Sequence, residues 1–129
     1  MHVEWKGPMI HKEKNSEEKP VTYSEEKGVY IIANTLGQTN QIARYVGKGD
    51  IAERINAHKR DNKKCMQEAT DENRHIYYAL VPDETMRSNI EHTLYYGYGG
   101  DKGKLCNDKD TPPKGEKIQI NYPPKVHSP

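Results

Sequence analysis

The apolar positions of the chain gather in three short runs and one helical stripe. GVYIIANT at 28–35 and ARYVGKG at 43–49 are rich in β-branched and aromatic residues. LGQTN between them supplies glycine and asparagine for a reversal, so the pattern predicts a β-hairpin. HIYYALV at 75–81 has the composition of a third strand. After the hairpin, Asp50 stands at an N-cap position, and Ile51, Ala52 and Ile55 predict a helix to about residue 60. The segment DNKKCMQEATDEN that follows is too polar to assign. Pro82 and Asp83 open a second helix, in which Met86, Ile90 and Leu94 recur at four-residue spacing and form one buried face. GYGGDKGK ends it.

The two ends lack such patterning. HKEKNSEEKP has no apolar side chain, and residues 1–27 read as a charged, solvated arm. Residues 111–129 hold five of the eight prolines, which disfavours regular structure apart from a short extended piece at KIQINY. The expected architecture is therefore α/β of the α+β type over residues 28–110: a small, mainly antiparallel three-stranded sheet flanked by helices, with an arm at either end. A chain of 129 residues supports one core and, by default, one site.

Composition narrows the function classes. Hydrophobic residues are 33% and charged residues 30%, with mean hydropathy -1.09, and no apolar run approaches the roughly 20 residues of a membrane span. The lysine- and glutamate-rich start lacks the apolar stretch of a signal peptide. Cys65 and Cys106 lie far apart with no second thiol near either, which predicts reduced thiols and a cytoplasmic setting, at a nucleoid or nucleus if DNA is the partner. Nine tyrosines and no phenylalanine point to rings that keep a polar contact.

The net charge of +1 argues at first against a polyanionic partner. Along the chain it resolves differently. Residues 44–64 carry Arg44, Lys48, Arg54, Lys59, Arg60, Lys63 and Lys64 against only Asp50, Glu53 and Asp61. A basic block is thus diluted by acidic surroundings. Taken alone, such a block is an ordinary solvated face.

GVY at 28–30, YVG at 45–47, Arg54 and His58 on the following helix, Glu91 on the second helix and Asn107 beyond it form an ordered constellation. In this order they resemble the GIY-YIG nuclease family. The resemblance spans residues 28–107 and includes YVGKGDIAERINAHK and IEHTLYYGYGGDKGKLCND, with a hairpin turn somewhat longer than the family usually shows. It implies a catalytic domain without appended modules. The implied activity is metal-dependent hydrolysis of DNA phosphodiesters by water attack, leaving 5′-phosphate and 3′-hydroxyl ends.

The roles implied are these. Tyr30 deprotonates the water, and Tyr45 sits across the same site. A phenol near pKa 10 must drop by about three units to ionise at neutral pH, costing about 4 kcal/mol, so positive charge from Lys48, Arg54 and a cation is required. Arg54 and His58, four apart, share a helix face; Arg54 offers phosphate a planar fork, and His58 can hydrogen-bond the water, take a proton or position a phosphate. Glu91 is the single protein ligand of one Mg²⁺ or Mn²⁺, an ion that keeps most of its waters. Asn107 orients a phosphate or a metal-bound water, while Lys59 and Arg60 extend the phosphate contacts.

Plainer readings stand beside these: strand aromatics for the tyrosines, a salt bridge with Arg87 for Glu91, and a turn residue for Asn107. The rival function is a catalytically silent nucleic-acid-binding or protein-interaction module on the same fold. DNA is the expected partner, with RNA open, and sequence recognition would require the arms, a second copy or another protein. Two further signals fail. GYGGDKGKL has Tyr98 where a phosphate loop needs glycine and Leu105 where it needs Ser or Thr, and His92 has no second histidine at zinc-ligand spacing.

Overall fold

The computed structural model describes residues 1–10, 26–34, 41–54 and 74–129. At its centre β2 (Lys27–Asn34) and β3 (Gln41–Asp50) run antiparallel, in a register that sets Tyr30 opposite Gly47 and Val29 opposite Lys48. On its other side β2 pairs antiparallel with β4 (Arg74–Leu80). Every β2 residue after Lys27 is buried, as its unbroken apolar run requires of a central strand covered on both faces. Gly28 answers that crowding, because a side chain there would collide with the Ala79 carbonyl on β4.

The expectation of three strands is corrected to five, in the order β1-β4-β2-β3-β5. β1 (Lys6–Ile10) pairs antiparallel with β4, and β5 (Val126–His127) pairs parallel with the start of β3. Both added strands come from the segments expected to be solvated arms. The polar run of the N-terminal segment begins only at residue 11, and ahead of it Val3 enters the core while Trp5 packs against it. In the tail, prolines keep most of the backbone out of the ladder, yet Ile118 and Ile120 pack on the core and Val126 is buried.

The two ends are also stitched together. The Asn121 carboxamide accepts from the Val3 N–H (2.6 Å) and donates to the Val3 carbonyl (2.9 Å). Trp5 Nε1 donates to the Asn121 carbonyl (2.9 Å), and the Met1 ammonium to that of Gln119 (2.9 Å).

The helix labelled α1 (Glu84–Gly97) starts where the sequence predicts, with Asp83 capping it by accepting from the Met86 N–H at 2.8 Å. Ile90 and Leu94 are buried and Met86 packs beside them, so the predicted stripe is the face laid on the sheet. Arg87 is buried, and its Nη1 donates to the Val81 and Pro82 carbonyls (2.9 and 2.7 Å). Its guanidinium therefore caps the end of β4 instead of bridging to Glu91. Among the described residues no helix is long and apolar enough to cross a membrane.

Alternation along β2 divides the core. Val29, Ile31 and Ala33 join Ile90, Leu94 and Tyr95 on the α1 side, whereas Tyr30 and Ile32 join Ile51, Ile76, Tyr78 and Cys106 on the other. Cys106 is disulfide-bonded, and among the described residues no cysteine is free. This corrects the expectation of reduced thiols and removes the ground for a reducing compartment; separation in sequence is a weak barrier to pairing because loop-closure cost grows only logarithmically. The chain's other cysteine, Cys65, lies outside the described residues.

Candidate active site

Among the described residues, the outer edge of β3 is paired with β5 only at Gln41 and Ile42. Beyond them the edge is held by two short contacts from the segment after α1. Cys106 N–H donates to the Arg44 carbonyl (2.6 Å), and the Asn107 carboxamide takes both sides of the Val46 peptide, accepting from its N–H (3.0 Å) and donating to its carbonyl (2.8 Å). One side chain thus stands in for a neighbouring strand. The carboxamide of Asn107, for which the resemblance implies a phosphate or a metal-bound water, is engaged by backbone and fixes the YVG strand in place.

Two glycines at this edge each clear space for a site side chain. Tyr30, fully buried, lays its ring across Gly47, and any side chain at 47 would collide with the phenol hydroxyl. Gly49 adopts φ +125, a region that disfavours L side chains, and Arg54 Cγ lies 3.3 Å from where a Cβ at 49 would sit. The chain then turns into a helical stretch at 51–54, capped as expected by Asp50, which accepts from the Glu53 N–H at 3.0 Å.

These placements bring the motif residues together. The rings of Tyr30 and Tyr45 lie nearly parallel, 6.2 Å between centroids and 17° between planes. The Arg54 guanidinium lies within interaction range of both hydroxyls. Lys48, opposite Val29 on β3, donates from Nζ to Ser88 Oγ on α1 at 2.7 Å. Glu91 lies three residues further along that helix, half-buried, within the field of both Lys48 and Arg54. His58, Lys59 and Arg60 lie outside the described residues.

The electrostatics bear on the role expected of Tyr30. Burial, followed by the neighbouring Tyr45, pushes its phenol far above the ordinary 10.0, and the charge and hydrogen bond of Arg54 only partly oppose this. These residues by themselves therefore hold Tyr30 as a neutral phenol at physiological pH. Burial also raises the Glu91 carboxyl, against the pull of Lys48 and then Arg54.

Among the described residues no group of three or more His, Cys, Asp or Glu could form a metal cage. A lone carboxylate beside phenolic oxygens is a donor set for a hard, hydrated cation that draws its remaining ligands from water and a phosphate. It is unsuited to a closed zinc site. Ser88 escaped sequence reasoning, although its three-residue spacing from Glu91 on a predicted helix was a usable signal. No family model, curated protein or solved structure matches this chain, so its resemblance to the GIY-YIG nucleases rests on the motif residues themselves.

Proposed function

We propose that the chain is a metal-dependent endonuclease of the GIY-YIG type, hydrolysing DNA phosphodiester bonds by water attack with one Mg²⁺ or Mn²⁺ at Glu91. The observation that carries this reading is convergence. Tyr30 from β2, Tyr45 and Lys48 from β3, Arg54 from the turn after it and Glu91 from α1 meet around one glycine-opened strand edge.

Arg54 is suited to grip two phosphate oxygens at once, and Lys48 adds a second positive charge against the transition state. A cation at Glu91 supplies further charge for the phosphate and the departing 3′-oxygen. Tyr30 is a neutral phenol in the free protein, so its first task is to accept a hydrogen bond from the attacking water and orient it, with Tyr45 alongside. Acting as a base would require the site to become more positive than the protein alone makes it. Asn107 serves the reaction indirectly by keeping β3, and hence Tyr45 and Lys48, in register.

That upward push on Tyr30 is also the observation favouring a second reading, a nucleic-acid-binding module without catalysis. One experiment separates them: supercoiled, linear, branched and single-stranded DNA, and RNA, are incubated with the protein in Mg²⁺, in Mn²⁺ and in chelator. Cation-dependent cleavage that disappears in Glu91→Ala supports the nuclease. Binding without cleavage of any substrate supports the silent module.

A further inference from the structure

Lys48 presents a difficulty that its position on β3 does not solve. A lysine stem carries nearly 2 kcal/mol of rotamer entropy, and at the open edge of a sheet its ammonium would swing through solvent. In the structure it instead crosses from the sheet to α1 and donates to Ser88 Oγ at 2.7 Å. Among the described residues one of the three ammonium protons is used, which leaves two donors for an oxyanion. Ser88 and Glu91, three residues apart, share a face of α1, so the contact holds the charge beside the carboxylate.

The helix that carries Ser88 is anchored from its outer side. Asn89 Oδ1 accepts from the Glu116 N–H (2.9 Å), Thr93 Oγ1 accepts from the Ile118 N–H (3.0 Å), and His92 Nδ1 meets the Pro113 carbonyl (2.9 Å). At Gly115 the tail lies so close that an added Cβ would sit 2.6 Å from the Ser88 carbonyl. The acceptor for Lys48 is therefore built on a clamped element.

We propose that Ser88 is a positioning residue: by accepting from the Lys48 ammonium it fixes that charge as a phosphate ligand beside Glu91. The proposal rests on reading the site as one that binds phosphodiesters. The plainer alternative is that the contact only stitches sheet to helix.

A double-mutant cycle read by DNA binding in chelator, where no cleavage can occur, decides between them. Lys48→Ala should weaken binding and lower the salt slope by about one. Ser88→Ala should weaken it roughly tenfold, Ser88→Thr should bind like the native protein, and Ser88→Ala should add nothing once Lys48 is already alanine. Thermal melting of each variant shows that the comparison is made on folded protein. Native binding by Ser88→Ala, or an undiminished Ser88→Ala loss in the Lys48→Ala background, overturns the proposal while leaving the nuclease reading intact. A native protein that binds DNA but never cleaves it fails as a nuclease, yet the cycle still decides the role of Ser88. No DNA binding at all overturns both.

Discussion

On the side of the sheet that meets α1, β2 contributes Val29, Ile31 and Ala33 to a closed cluster with Ile90 and Leu94. On the opposite side the intervening residues, Tyr30 and Ile32, pack with Ile51, Ile76 and Tyr78. Each side centres on buried β2 side chains: Ile31 and Tyr30 both have 0% exposure. What separates them is the kind of partner a buried phenol meets. On the helix side Tyr77 donates to the neutral Gln41 side chain, while the hydroxyls of Tyr95 and Tyr98 are buried with no hydrogen bond among the described residues, and burial pushes both of these phenols up. On the site side Tyr30 is pushed up by burial too, but its hydroxyl meets the Arg54 guanidinium. A buried tyrosine is thus common to both halves of this core, and a charged partner at an opened strand edge is what distinguishes a candidate site from packing.

The sharpest break in that comparison is to hollow out the helix side. Leu94→Ala should cost about 3–5 kcal/mol of stability, through lost burial plus the cavity left behind. Urea unfolding would read the loss, and any fall in activity should track the folded fraction alone. On the site side the reverse is expected. Tyr30→Phe keeps the ring over Gly47, so the fold should persist while the cleavage rate falls at least about 10²-fold. A retained rate would move water activation to Tyr45 or His58.

Two asparagines make the same test at smaller amplitude, since each clamps both sides of one valine peptide. Asn107 holds Val46 beside the site and Asn121 holds Val3 at the joined ends. Replacing either with alanine should cost about 1–3 kcal/mol. Only Asn107→Ala should slow cleavage by more than its effect on the folded population, as measured at a temperature where both variants are folded.

The smallest effect concerns pH. Tyr30 and Tyr98 have folded-state values raised above the ordinary 10.0, so their neutral forms favour the native state. That contribution is complete below the unfolded-chain value of about 10 and is lost as pH climbs past it. Urea midpoints should therefore fall between pH 9 and pH 11, and fall less in Tyr98→Phe. An identical fall in both proteins would mean that Tyr98 is not responsible.

Much of this organisation is legible in the sequence. β2, β3 and β4 announce themselves as apolar, β-branched runs, and α1 by its stripe and its Asp83 cap. β1 and β5 do not, because their apolar residues sit among charges or prolines and their pairing is decided by edges that β4 and β3 leave open. Within the site, Tyr30, Tyr45, Lys48, Arg54 and Glu91 are brought together from positions the motifs singled out. The backbone role of Asn107 is not legible in the sequence, because a carboxamide serves a peptide as well as it serves a phosphate. Ser88 was missed because its spacing from Glu91 gains meaning only once Lys48 is seen to reach across from β3 to the helix. The burial that raises the Tyr30 phenol is not legible in the sequence, because charge counted along a chain contains no information about depth. The disulfide at Cys106 was hidden for a related reason, since spatial proximity is not written in sequence spacing.

The central claim is that the opened edge of β3 hydrolyses phosphodiesters with a cation at Glu91. Its most direct test is single-turnover cleavage of supercoiled DNA by the native protein and by Glu91→Gln in Mg²⁺, with DNA binding measured separately in chelator. The prediction is cation-dependent cleavage by the native protein and a loss of at least about 10³-fold in the variant, the several kcal/mol a bound cation contributes, with DNA binding undiminished. Equal cleavage by Glu91→Gln, or no cation-dependent cleavage by the native protein, would contradict it.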